Sequence, residues 1–253
     1  MTGVGSSVTE RVLTLLSAFS AEQPELTLTE LSRRSGLPLT TTHRLAGELV
    51  AGGALERLDG RYRIGLRLWE IGSLAPRGLG LRELAMPFLE DLCAATGQNV
   101  QLAVLADDGR SPEVVYLERL APRNAVSILT RVGGRLPALT TAVGRVLLAH
   151  APPDVLEAAL ARPVRRFTPE TVTDPDELRR ALADVRRTGV AITMRQIELV
   201  SLSVGAPVRG GDGRVVAAIS VVAPVEAGAQ PYVPVVVAAA RGISRRVANT
   251  SPA

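Results

Sequence analysis

The sequence of 253 residues contains few of the residue types that metal sites and many enzymes require. It has one cysteine, Cys93, and two histidines, His43 and His150, so it forms no internal disulfide, and a metal site of histidine and cysteine ligands is not expected. It shows neither a nucleophile-elbow pattern nor a Walker-type phosphate loop. We therefore expect a protein that is not an enzyme and needs no cofactor, with a carboxylate-based enzyme as the open alternative.

Lysine and long apolar runs are also absent. The longest apolar runs, residues 215–222 and 233–240, fall well short of the roughly 20 residues of a membrane helix. The first residues lack the basic start and apolar core of a signal peptide, so we expect a cytoplasmic protein without a membrane partner. All 29 basic residues are arginine, which explains an isoelectric point of 10.1 at a net charge of only +4. This isoelectric point is weak evidence for nucleic-acid binding, and local arginine clusters weigh more.

Residues 26–68 show the pattern of two short helices, a tight turn and a hairpin. Thr29 is predicted as the N-cap of the first helix, because its hydroxyl can accept from a free amide, and Gly36 ends this helix. Pro38 opens the second helix, at about residues 40–51. Asp59-Gly60 predicts a hairpin turn between two short strands. This order predicts a winged helix-turn-helix, preceded by an amphipathic helix over residues 8–21.

The outer face of the second helix and the hairpin carry groups that suit DNA. Hydroxyls and an arginine on a helix read base edges in the major groove, and arginines on a hairpin bind phosphates. The candidate DNA-contacting residues are Thr40, Thr41, Thr42, His43, Arg44, Arg57, Arg61 and Arg63. Thr42 also belongs to the inner face, and His43 alternatively packs locally or bonds a phosphate. The open alternative is an ordinary small helical domain with a solvated face.

The rest of the chain alternates strands and helices. Helices are predicted at residues 79–96, 141–150, 153–160, 175–188 and 231–249. Strands are predicted at residues 100–105, 114–120, 126–131, 190–193, 202–208 and 214–222. Strand pairs with short turns, flanked by helices, predict an antiparallel sheet covered by helices, and hence an α+β protein. The predicted domains are a DNA-binding domain over residues 8–65, a linker helix over 66–78 and an effector-binding and oligomerisation domain over 79–249.

Several short motifs, taken in order over residues 8–247, resemble the IclR-type transcriptional regulators. In the first domain they are Leu28-Thr29-Glu30-Leu31-Ser32, Gly36-Leu37-Pro38, Thr42-His43-Arg44-Leu45 and Arg61-Tyr62-Arg63-Ile64-Gly65. In the second they are Gly134-Arg135-Leu136-Pro137, Thr141-Ala142-Val143-Gly144-Arg145, Ala206-Pro207-Val208 and the stretch 212–220. The resemblance implies a GAF-like effector domain, a palindromic double-stranded DNA operator, and dimers that pair into tetramers. A repressor is expected, although activators share this design.

The resemblance also implies a pocket over the sheet that takes a small organic acid. Carried over by position, its contacts fall on Ala142 and Val143 at a helix start and on Ser203 and Ser220 in two strands. The family's acidic residue before the last hairpin falls on Thr193 or Met194, and one polar strand position falls on Val222. The hypothesis is a larger, partly apolar acid, such as an aromatic one. Its body would lie against Met194, Val204 and Val222, with Arg131 as a counter-charge or a plain surface residue.

Two questions stay open at this point. The second domain either senses a ligand or serves only assembly and protein contacts. The apolar residues of the linker helix are Leu66, Leu68, Trp69 and Ile71. They form the expected dimer surface, unless Trp69 simply caps the DNA-binding domain.

Overall fold

The computed structural model describes residues 7–20, 22–75, 79–106 and 112–250. The chain divides into two compact units, Met1–Pro76 and Arg77–Ala253. Both contain helices and antiparallel strands, so the α+β architecture expected from the sequence is confirmed. Within the described ranges, every helix is too short or too polar to cross a membrane. Residues 76–78, at the predicted end of the linker, lie outside the described residues.

Among its described residues, the first unit contains four helices and a three-stranded sheet. Its helices are α1 (Val8–Leu16), α2 (Leu28–Ser35), α3 (Leu39–Ala51) and α4 (Leu66–Gly72), and its strands are β1 (Glu25–Thr27), β2 (Leu55–Leu58) and β3 (Arg61–Ile64). The antiparallel order is β1-β3-β2, so the predicted hairpin lies where it was expected. Strand β1 was not predicted, because three residues are too few to show alternation. Leu15, Leu31, Leu45, Leu55 and Tyr62 form the buried core.

The helix boundaries of this unit correct three expectations. Thr27, not Thr29, caps α2: its hydroxyl accepts from the amide of Glu30, whose carboxylate accepts from the amide of Thr27. This reciprocal pair is a capping box, which requires the acidic residue three positions after the cap. Helix α3 starts at Leu39 with Pro38 as its N-cap. Helix α1 ends at Leu16, well before residue 21.

The second unit is a six-stranded antiparallel sheet with helices on both faces. Its helices are α5 (Leu79–Thr96), α6 (Ala142–Ala149), α7 (Pro153–Leu160), α8 (Pro175–Thr188) and α9 (Tyr232–Thr250). Its strands are β4 (Asn99–Ala106), β5 (Glu113–Leu120), β6 (Arg135–Pro137), β7 (Ala191–Met194), β8 (Ser201–Arg209) and β9 (Val215–Pro224). The strand order is β6-β5-β4-β9-β8-β7. Helices α5 and α9 pack on one face, and α6, α7 and α8 pack on the other.

Residues 126–131, which were predicted as a strand, form a loop instead. Their backbone bonds to side chains of the sheet rather than to a neighbouring strand. The side-chain amide of Asn99 donates to the backbone carbonyl oxygen of Val126 at 2.8 Å. The Arg119 guanidinium donates to the backbone carbonyl oxygen of Thr130 at 2.8 Å. The edge strand beside β5 is the short β6. The loop therefore covers the sheet face on which α6 lies.

Candidate DNA-binding surface and ligand cavity

The outer face of α3 presents a small set of polar groups. Thr40, His43 and Arg44 are exposed, and Thr41 is half-buried. The Arg44 guanidinium lies 2.6 Å from the Glu48 carboxylate, one turn further along the helix. Because both side chains are exposed, this pair is weak and leaves Arg44 able to exchange partners. Leu39, which was not predicted to belong to this helix, is its first residue and is 50% exposed.

Thr42, a predicted DNA contact, faces inward from the first turn of α3, against the turn between α2 and α3. Its side chain is fully buried, and its hydroxyl donates to the carbonyl oxygen of Pro38 at 3.1 Å. The Ser32 hydroxyl donates to the carbonyl oxygen of Leu37 at 2.8 Å in the same turn, where Gly36 takes a left-handed conformation with φ of 68°. Thr42 therefore shapes the turn and does not belong to the outer face.

The three arginines of the hairpin β2–β3, the wing, differ in their partners. Arg63 contacts the Glu56 carboxylate at 2.8 Å, and this hydrogen bond lowers the pKa of Glu56. Arg61 donates to the backbone oxygen of Glu25 at 3.3 Å. The Arg57 guanidinium lies 5.4 Å from the centre of the Tyr62 ring, a cation–π contact, and meets no carboxylate within 4 Å in the described ranges. Arg57 is thus the wing arginine whose charge is least compensated.

The second unit holds a cavity that is partly open to solvent, between the start of α6, the sheet and two loops; its empty space, open solvent included, is about 410 Å³. Its polar lining residues are Gln101, Tyr116, Thr130, Thr140, Thr141, Thr193, Gln196, Glu198, Ser201 and Ser203. Its apolar lining residues are Ile128, Leu136, Ala142, Val143, Ile197 and Val222. The cavity therefore combines hydrogen-bonding groups with a substantial apolar surface.

The start of α6, where two backbone amides are unbonded within the described ranges, forms part of the cavity wall. The Thr141 hydroxyl caps the helix by accepting from the amide of Gly144 at 3.1 Å. The amides of Ala142 and Val143 have no acceptor among the described residues, and both residues line the cavity. Free amides and the positive end of the helix dipole favour an anion at this point. A Cβ added at Gly144 would lie 2.1 Å from the oxygen of Ala138, so glycine is required for this packing.

The predicted effector contacts divide into two groups. Ala142, Val143, Ser203 and Val222 line the cavity, whereas Met194, Val204 and Ser220 do not. Side chains alternate between the faces of a strand, and in β7 the inward side chain is that of Thr193, leaving Met194 48% exposed on the other face.

The side chains of Val204 and Ser220 also lie outside the cavity lining. Val204 belongs to the core on the opposite face of the sheet, beneath α5 and α9. Ser220 is fully buried behind the cavity wall, where its hydroxyl donates to the side-chain oxygen of Gln101 at 3.2 Å. Arg131 is exposed and lies outside the cavity lining, so the surface role is the one that the structure supports.

Several cavity residues were not predicted, because they lie in no short motif. Tyr116 is buried, and burial together with the charge of Glu198 raises its pKa. Glu198 itself comes from the loop between β7 and β8. Only the strand order brings these residues together, so sequence spacing carried no signal for them.

A buried cation lies close to the cavity wall. Arg145, on α6, is 7% exposed and donates to the carbonyl oxygen of Leu139 at 2.9 Å and to the side-chain oxygen of Gln196 at 3.1 Å. Burial lowers its pKa to about 10, and within the described ranges its guanidinium meets no carboxylate within 4 Å. Because Gln196 lines the cavity, this charge makes the nearby potential more positive.

The chain matches a family model for the IclR helix-turn-helix domain over residues 8–59 and one for the bacterial transcriptional regulator IclR C-terminal domain over residues 75–248. It belongs to the IclR family. This IclR-family chain is 35% identical over 214 residues to the HTH-type transcriptional regulator XynR of Escherichia coli (strain K12), covering 83% of both chains. It is 31% identical over 211 residues to KipR of Bacillus subtilis (strain 168), covering 83% and 82%.

A solved structure extends this similarity to the whole IclR fold. The crystal structure of an IclR homolog complexed with 4-hydroxybenzoate, from Microbacterium hydrocarbonoxydans, matches with a TM-score of 0.87 at 40% identity, covering 96% of this chain and 100% of that one. These relatives are regulators, not enzymes. The chain is accordingly a transcriptional regulator with a helix-turn-helix DNA-binding domain and an IclR-type C-terminal domain.

Proposed function

We propose that this regulator is a repressor that binds a palindromic operator and releases it when an aromatic carboxylic acid enters the cavity. Residues 8–65 bind the DNA, residues 66–78 form the linker, and residues 79–249 sense the acid. The observation that carries the proposal is the cavity, where Ala142 and Val143 offer free amides beside an apolar wall. A carboxylate suits the amides, and a ring suits the wall.

The lining of the cavity supports an aromatic acid over a two- or three-carbon acid, because a very small acid would leave most of the apolar lining in contact with water. Ile128, Leu136 and Val222 offer an apolar wall to the ring, and Ser203 and Thr193 add hydroxyls. The Microbacterium homolog in complex with 4-hydroxybenzoate is consistent with this ligand class.

The proposed DNA contacts follow from the exposed side chains of α3 and the wing. Thr40, Thr41 and Arg44 face base edges in the major groove, and Leu39 suits a thymine methyl group. Phosphate contacts come from His43, Arg57, Arg61 and Arg63, led by Arg57 because its charge is least compensated.

Helix α4 supports assembly into a dimer. None of its residues is buried, and Trp69 is 65% exposed, so Trp69 does not act as a cap of the DNA-binding core. Leu66 and Ile71 are also exposed on this short helix. An apolar helix without a core to join is typical of a subunit contact, and a palindromic operator requires two copies of the DNA-binding domain. Pairing of dimers into tetramers through the second unit completes the proposed assembly.

The test combines DNA binding and ligand binding on the full chain. An operator selected from random double-stranded DNA is titrated by fluorescence anisotropy with and without benzoate, 4-hydroxybenzoate, acetate and pyruvate, and the same acids are titrated by calorimetry. We expect the aromatic acids to bind and to weaken operator binding, and Arg44→Ala to cost roughly 1–3 kcal/mol of operator binding energy. Glu83→Gln, on an exposed position of the second unit, serves as the control.

Three results would contradict separate parts of this proposal. Binding of acetate or pyruvate without binding of the aromatic acids would refute the assigned ligand class. Binding of none of the four acids, with DNA binding intact, would favour a second unit that serves only assembly. If the aromatic acids strengthened operator binding, the protein would not be an inducible repressor.

A further inference from the structure

One strand runs along the cavity and gives it two chemically different ends. Ser201, Ser203 and Gly205 occupy every second position of β8, so their side-chain positions share one face of the sheet. Gly205 lies against Ala142 at the start of α6, since a Cβ added there would lie 3.1 Å from the carbonyl carbon of Ala142. Ser203 and Ser201 follow along the cavity wall. The four residue steps from Gly205 to Ser201 span about 13 Å.

The end of the cavity at Ser201 is anionic. The Ser201 hydroxyl donates to one carboxylate oxygen of Glu198 at 3.0 Å, and the amide of Leu129 donates to the other at 2.8 Å. These two bonds fix the carboxylate of Glu198, which lines the cavity. A carboxylate accepts about four hydrogen bonds, so positions remain for a donor on a ligand. The opposite end, at α6, carries the free amides and favours an anion.

We propose that Glu198 determines ligand specificity: the regulator selects a monocarboxylate that carries a neutral hydrogen-bond donor, such as a hydroxyl, at the end of the molecule opposite its carboxylate. The inference rests on the proposed function, because it takes the ligand carboxylate to lie at Ala142 and Val143. Because the two ends lie four residue steps apart along β8, a rigid ring with substituents at opposite positions suits the space between them.

The same geometry disfavours a dicarboxylate of equal length. Its second carboxylate would meet Glu198, and two like charges in a partly dry cavity repel strongly. An unsubstituted ring would lose the bond to Glu198 but would meet no repulsion. The predicted order of affinity is therefore 4-hydroxybenzoate, then benzoate, then benzene-1,4-dicarboxylate.

Calorimetry of the full chain with these three acids tests the inference. The wild type should bind 4-hydroxybenzoate about ten- to a hundredfold more tightly than benzoate, as expected for a hydrogen bond to a charged group. Glu198→Gln should reduce the ratio of the affinities for 4-hydroxybenzoate and benzoate at least severalfold. It should also raise the affinity for the dicarboxylate. Glu90→Gln, which makes the same charge change on an exposed face of α5, should alter neither value. Ser201→Ala, which frees one oxygen of Glu198, should give an intermediate ratio.

The outcomes separate this inference from the proposed function. Equal affinity of the wild type for benzoate and 4-hydroxybenzoate, or an unchanged ratio in a folded Glu198→Gln, would overturn the role of Glu198 and leave the aromatic-acid proposal standing. Binding of none of the three acids would overturn both. If Glu198→Gln fails to fold, the wild-type ratio of the affinities for 4-hydroxybenzoate and benzoate decides the outcome.

Discussion

Gly205 of β8 and Ala142 of α6 are in direct backbone contact: a Cβ at position 205 would lie 3.1 Å from the carbonyl carbon of Ala142 and 3.2 Å from its Cβ. This close approach sets the first turn of α6 directly on the sheet. The free amides of Ala142 and Val143 reach the cavity because the helix starts this close to β8. The glycine thus links the packing of the second unit to its proposed carboxylate site.

Replacing Gly205 by valine should therefore disturb binding and stability together. The added side chain must push the start of α6 away from the sheet, and overpacking of this kind costs about 1–3 kcal/mol of unfolding free energy. We expect weaker binding of 4-hydroxybenzoate in calorimetry and a lower urea midpoint. Gly80→Ala is the control, because a Cβ there meets no described atom within 4 Å. A Gly205→Val protein with wild-type affinity would show that the position of α6 does not control the site.

The wing arginines should contribute unequally to DNA binding. Arg57 meets no carboxylate in the described ranges, whereas Arg63 contacts Glu56 at 2.8 Å and must exchange this partner for a phosphate. Arg57→Ala should weaken operator and non-operator DNA alike and reduce the slope of log affinity against log salt by about 0.9, the value for one phosphate. Arg63→Ala should change the slope less. Anisotropy titrations over a range of salt concentrations measure the affinity and the salt slope of both variants. A larger loss of affinity and slope in Arg63→Ala would make Arg63, not Arg57, the main phosphate contact of the wing.

Much of the fold could be predicted wherever local signals mark both ends of an element. Helix α8 was predicted to the residue because Pro175 follows the capping Asp174 and Gly189 takes the left-handed conformation after the last turn. The turn at Asp59-Gly60 placed both strands of the wing in the same way. Such signals act between residues close in sequence, so they can be read without the tertiary structure.

The errors arise where distant residues decide the outcome. Residues 126–131 include the strand-forming residues Val126 and Ile128, but side chains of Asn99 and Arg119 bond their backbone and hold them as a loop. A shift of one residue in a strand reverses the face, which is why Thr193 rather than Met194 faces the cavity. Glu198 enters the cavity only because the strand order brings its loop there.

Replacing Trp69 by alanine should weaken the dimer. An exposed tryptophan at the centre of a subunit contact typically contributes 2 kcal/mol or more, so the dimer dissociation constant should rise at least about thirtyfold. Sedimentation velocity across micromolar protein concentrations measures this shift, and operator binding should weaken with it. Leu13→Ala, on another exposed apolar residue of the first unit, is the control. An unchanged dissociation constant for Trp69→Ala would remove α4 from the dimer surface.

The capping box of α2 should make the stability of the first unit depend on acid pH. The hydrogen bond from the Thr27 amide, followed by that from its hydroxyl, lowers the pKa of Glu30 below its usual value of 4.5. A carboxyl group with a lowered folded-state pKa stabilises the fold fully above its unfolded pKa. This contribution is lost as the pH falls through the folded pKa.

Glu30→Gln keeps a capping side chain without the charge, so the wild type should be more stable than this variant at neutral pH. The difference in unfolding free energy between the wild type and Glu30→Gln should shrink once the pH falls below about 4.5. It should approach zero under more acidic conditions. Urea unfolding followed by the fluorescence of Trp69, the single tryptophan of the chain, measures it in the unit that contains α2. Glu83→Gln, in the second unit, controls for the loss of one acidic group. A difference that stays constant from neutral to acidic pH would mean that the ionised Glu30 does not stabilise the helix.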